Sequence, residues 1–141
     1  MSVQLSDVRK TTSRIQQIIE LLFSIFLRLL AVIFFAGALY VWMTAVGYWE
    51  GSNYRFDTMG VALKVYTAIM GVMLPVACVG LWTTLPWGRV IWFFAVAFQS
   101  VTLLRFPELF SAPNLILIFH ACCLVLYVVF QLLLFVIAKK E

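Results

Sequence analysis

With 141 residues, 65% of them hydrophobic and 11% charged, the chain has no room for a soluble domain beside its apolar stretches. Ordinary globular chains are about 45–50% apolar and about 25% charged. The net charge of +4 comes from sparse cations set at the ends of apolar runs, which is a membrane-orientation pattern and excludes a nucleic-acid surface.

Four apolar stretches fill most of the sequence, at about 21–46, 61–82, 85–105 and 115–138. About 20 mostly apolar residues cross a hydrocarbon core about 30 Å thick. Backbone amides in lipid must be satisfied within the segment, so each stretch is expected to be a helix. The expected fold is all-α: one domain over 1–141, an integral membrane bundle of four transmembrane helices with 1–20 as a cytoplasmic segment.

At the N-terminus, Ser13-Arg14-Ile15-Gln16 fits a capping box, with a hydroxyl at the N-cap and a glutamine three residues on. A helix from Arg14 to Val46 would be about 50 Å long at 1.5 Å per residue, so its first turns project from the hydrocarbon or the helix tilts. Ile15, Ile18, Ile19 and Leu22 form an apolar stripe there, suited to the headgroup boundary or to a partner helix. Ala36-Gly37-Ala38 resembles a signal cleavage site, but the apolar run continues through Leu39, Val41 and Trp42. A cleaved signal has a core of only about 7–15 residues, so the segment is read as a retained span. Ala31, Ala38 and Ala45 recur on one face, as small packing residues do in membrane helices.

The second stretch holds Pro75, which lacks an N–H and needs neighbours to compensate within a membrane. Thr67 and Gly71 just before it form a small-xxx-small pair. The third stretch reaches full length only if Thr84 caps a helix starting near Leu85, with Pro86 in its first turn. Pro107 ends that helix at Leu104 or Arg105, and Ser111 and Pro113 turn the chain into the fourth. Cys78, Cys122 and Cys123 all fall inside spans and read as small apolar packing residues.

Cytoplasmic termini put Arg9, Lys10, Arg14, Arg28, Arg89, Lys139 and Lys140 inside, and Arg55, Lys64 and Arg105 outside; the positive-inside rule favours that orientation. Trp82, Trp87 and Trp92 then mark the inner edge, and Trp42, Tyr48, Trp49 and Tyr54 the outer one.

Two polar groups are candidate sites. Glu50, Arg55, Asp57, Lys64, Arg105 and Glu108 gather on the outer side. They read either as loop-tying ion pairs of little energetic weight or as a pocket in which Trp49, Tyr54 and Phe56 supply flat surfaces and the cations hold an anion. A cavity bounded by Arg105, Lys64 and Tyr54 would favour the pocket. In the fourth helix, stepping by 3.6 residues from His120 reaches Cys123, Tyr127 and Gln131. An intramembrane ionisable group is a functional candidate, although one hydrogen bond, from Gln99 or Thr102, would satisfy a neutral imidazole.

Several classes are disfavoured. One histidine cannot supply paired axial haem ligands, no convergent metal-ligand set appears, and no phosphate loop or nucleophile elbow occurs. No cofactor is expected, and catalysis would require His120 and Glu108 to converge.

The length, the four spans and Gly80-Leu81-Trp82 followed by Pro86-Trp87-Gly88-Arg89 resemble the small four-helix inner-membrane proteins of bacteria, including the DoxX-like group. The resemblance implies a class, multi-pass in a bacterial inner membrane, and no activity. The functional expectation is an accessory or scaffold protein acting through helix–helix contacts, with the bilayer and a membrane-protein partner or a second copy as its partners. The alternative is a small-molecule or lipid-binding or transport protein using the outer cluster.

Overall fold

The structure, a computed structural model, describes residues 2–48 and 55–139, with side chains from Arg14 onward except Leu109. Its elements are α1 (Ser2–Ala45), α2 (Val61–Trp82), α3 (Pro86–Arg105), a single 3-10 turn (Pro107–Leu109) and α4 (Pro113–Ala138). The described residues contain no strand. All four helices are long and apolar enough to cross a membrane. The chain divides into two compact units, Leu27–Leu117 and the stretch up to Phe26 with that from Ile118 onward, the division falling within α1 and α4.

α1 starts far earlier than the capping-box reading placed it, and Ser13 lies inside the helix. The chain before Ser13 contains neither proline nor glycine. Once a helix is nucleated each further residue adds one bond, so nothing there stops it.

In the Leu27–Leu117 unit, α1 buries Leu27, Leu30, Ala31, Phe34, Ala38 and Val41, one stripe at helical spacing. Ala31 and Ala38 thus lie on the packed face, with Ala45 half-buried. α2 buries Tyr66, Thr67, Met70, Gly71, Leu74 and Ala77. Pro75 leaves the carbonyl four residues back without its helical donor, and that carbonyl belongs to Gly71. The indole Nε1 of Trp42, on α1, donates to it at 2.9 Å.

Two helix ends in this unit share one hydrogen-bond pattern. At the end of α1, Tyr48 N donates to Met43 O and Gly47 N to Thr44 O. At the end of α2, Leu85 N donates to Gly80 O and Thr84 N to Leu81 O. Both are Schellman motifs, which need a left-handed residue just past the helix. Gly47 fills that place at φ 74, Thr84 at φ 56. Thr84 is therefore part of the exit from α2, and the N-cap of α3 is Leu85, with no side-chain cap and Pro86 in the first turn. Thr84 and Leu85 both belong to the turn that joins α2 to α3.

α2 and α3 meet just beyond that turn. A Cβ on Gly80 would collide with the Gly88 backbone and sit 2.7 Å from Trp87 Cζ3; one on Gly88 would sit 2.5 Å from Gly80 O. The two backbones touch because neither residue has a side chain. In the other unit, Phe23 packs against Tyr127 and Phe130, with ring centres 5.8 and 5.7 Å apart, and Phe26 packs on Phe130 at 5.6 Å.

Candidate functional site at the α1–α2 loop

The loop after α1 is tied back onto the helix it leaves. Phe56 N donates to Ala45 O at 3.1 Å, satisfying one of the carbonyls a helix end leaves open. The Arg55 side chain lies across Gly47, where an added Cβ would be 2.7 Å from Cδ and 3.2 Å from Nε. A guanidinium there is favoured by the partial negative charge of the α1 C-terminus.

Arg55 Nε is 3.2 Å from Asp57 Oδ1, with the side chains 60% and 63% exposed. Lys64 Nζ donates to the Asp57 carbonyl at 3.3 Å. Of the six outer candidates, the structure brings these three together. Glu50, with Trp49 and Tyr54, lies outside the described residues. Arg105 and Glu108 flank the end of α3, both exposed, and among the described residues neither forms an ion pair. The pairing that forms is thus local, between residues two and seven apart.

A cavity lies beside this loop. It is an apolar groove of about 380 Å³ lined by Val41, Trp42, Ala45, Val46, Phe56, Thr67, Ala68, Gly71 and Val72. Among the described residues no charged side chain lines it. Arg105 and Lys64, named from the sequence as bounds of an outer cavity, are not among the described walls of this groove. The walls come instead from the apolar faces of two helices, whose backbones the small residues Ala45, Ala68 and Gly71 leave uncovered.

Below the loop, Thr67 Oγ1 contacts Met59 Sδ at 3.7 Å. Gln99 Nε2 donates to the Tyr66 hydroxyl at 3.2 Å, and Tyr66 stacks on Phe98 and meets Phe110 edge-on, with ring centres 6.3 and 5.2 Å apart. Thr102, the other group named for His120, gives its hydroxyl hydrogen to Phe98 O at 2.9 Å.

Each residue of the second candidate set belongs to one unit of the chain. Gln99 belongs to the Leu27–Leu117 unit, as does Glu108; His120, Tyr127 and Gln131 belong to the other. Within α4, His120 and Cys123 are the buried residues, and Tyr127 and Gln131 are half-buried. The stripe stepped out from His120 is therefore the covered face of α4. Cys122, one residue off it, is exposed. Among the described residues no group of three or more His, Cys, Asp or Glu is placed to hold a metal.

Sequence reasoning missed the Trp42–Gly71 bond and the Gly80–Gly88 contact. The first had a signal, since Pro75 announces an unbonded carbonyl four residues earlier. The second lies within Gly80-Leu81-Trp82 and Pro86-Trp87-Gly88-Arg89, whose two glycines touch.

No curated protein and no solved structure matches the chain. Residues 21–138 match the family described as a family of unknown function, DUF6163. The match runs from within α1 to the last residue of α4, and the chain belongs to that family.

Proposed function

We propose that this is a multi-pass protein of a bacterial inner membrane, with both termini cytoplasmic, that acts as an accessory or scaffold component through helix–helix contacts. One observation carries the reading. α4 spans 26 residues, yet only 6% of its most apolar window is buried. Leu115, Ile118, Val125, Leu126, Leu132 and Phe135 are all exposed on it, so most of its circumference is open to a neighbour in the membrane. Helices associate in lipid through packing rather than through hydrophobic burial, and the exposed Ala121 and Cys122 offer a small-residue approach. Purification from native membranes in a lipid-preserving polymer, with mass spectrometry, tests it. A stoichiometric membrane-protein partner or a second copy is expected; a monodisperse monomer without a partner overturns it.

A second reading, lipid binding or transport, is favoured by the apolar groove and by the cations at its end. The orientation of the termini follows from the distribution of Lys and Arg and is tested by thiol labelling of single cysteines introduced at Ser2 and Thr58.

A further inference from the structure

We propose that the groove between α1 and α2 holds an acyl chain of an anionic phospholipid whose phosphate lies against Arg55 and Lys64. The proposal deepens the lipid-binding reading and rests on it. Both walls of the groove end in a cation, and at the same end. On α2, Ala68, Gly71 and Val72 follow Lys64 at four, seven and eight residues, and so share its helix face. On α1, Ala45 and Val46 directly precede Gly47, across which the Arg55 side chain lies. Phe56 belongs to the lining and is anchored by its N–H to Ala45 O, so the loop that carries Arg55 also closes the groove.

The chemistry of the lining selects the chain. Its polar groups are already turned to protein: Trp42 Nε1 to Gly71 O, and the Thr67 hydroxyl to Met59 Sδ. A polar solute would find no hydrogen bond there and would lose those it makes to water. At about 380 Å³ the groove is within the range of about 300–1,000 Å³ typical of small-ligand sites. α1 and α2 are both of membrane-crossing length and apolarity, so acyl chains are the apolar material at hand.

The loop selects the headgroup. Asp57 links the two cations, its carboxylate to Arg55 and its carbonyl to Lys64. The Arg55–Asp57 pair is exposed on both sides, at 60% and 63%, and such pairs hold weakly. A phosphate accepts two parallel hydrogen bonds from one guanidinium and adds Lys64 as a second positive contact, while Asp57 leaves the described cluster one positive charge in excess.

Native mass spectrometry of the full chain, incubated with equal amounts of phosphatidylglycerol and phosphatidylcholine of the same acyl chains, tests this. The expected result is one retained lipid, with phosphatidylglycerol favoured about fivefold, the size of one net basic contact at a membrane surface. R55Q/K64Q should retain a lipid without preference. A68W, which fills the groove from an exposed position, should retain neither, and V72W, at a second exposed lining position, gives an independent plug should A68W misfold. Equal retention by the wild type, lost in A68W, overturns the anionic headgroup and leaves a chain-binding groove. Retention unchanged in both A68W and V72W overturns the proposal and the lipid-binding reading together.

Discussion

The indole of Trp42 replaces the backbone donor that Pro75 lacks. Gly71 O would accept from residue 75 in an unbroken helix; it accepts from Trp42 Nε1 instead, at 2.9 Å. In a membrane that carbonyl has no water to turn to. W42F should therefore cost about 1–3 kcal/mol, the range for leaving a buried acceptor unsatisfied. P75A restores the helical donor, so in that background W42F should cost measurably less. Unfolding of the four variants in mixed micelles closes the cycle; equal costs of W42F in both backgrounds would disprove the replacement.

The two Schellman ends predict opposite responses. Thr84 holds a left-handed conformation at φ 56, which costs an L-residue about 1–2 kcal/mol. T84G should raise stability by up to about 1 kcal/mol, because the added freedom of the unfolded glycine takes back part of the gain. G47A should lower it, since alanine would meet both an unfavourable φ of 74 and the Arg55 side chain. Thermal melts in detergent separate the two signs.

Glycine substitutions within the helices should divide in the same way. G80A and G88A drive a methyl group into the opposite backbone, and each should cost at least about 1–3 kcal/mol, as overpacking does. G37A meets only Leu74 Cδ1 at 3.7 Å, an ordinary contact, and gains helix propensity of up to about 1 kcal/mol. A stabilised G80A would refute the backbone contact.

D57N should change stability by less than about 1 kcal/mol, as expected for an ion pair open to solvent on both sides. A larger loss in chemical unfolding would mean that the loop depends on the carboxylate more than its exposure allows.

The helices were legible in the sequence because each apolar stretch has the length and composition that crossing a membrane requires. α2 runs over Val61–Trp82, the residues of the second apolar stretch, and α3 stops at Arg105, where Pro107 forbids continuation. Local caps were read less well. Ser13 and Thr84 both have N-cap chemistry, but Ser13 is preceded by a chain that can already be helical and Thr84 is taken up by the exit from α2. Pro75 announced the open Gly71 carbonyl, but which residue would fill it was not legible: Trp42 and Gly71 are 29 residues apart, Tyr66 and Gln99 33. Nothing in a single stretch states which neighbour it will meet. The outer cluster divided for a related reason, since Arg55, Asp57 and Lys64 are close along the chain, whereas Arg105 and Glu108 belong to another segment.

The turn between α2 and α3 is three residues long, Thr83–Leu85, and the Gly80–Gly88 contact sits immediately on either side of it. A loop that short adds almost no closure entropy, so the contact can form as soon as the first turns of α3 have been synthesised. By then α1 is complete and Trp42 is available to Gly71. In a membrane, the α2–α3 hairpin would thus be suited to enter as a pair, after α1 and ahead of α4. Broken at Gly80 or Gly88, it would have to enter as two separate helices, and the damage would appear as lost insertion during biosynthesis before it appeared as lowered stability of the finished protein.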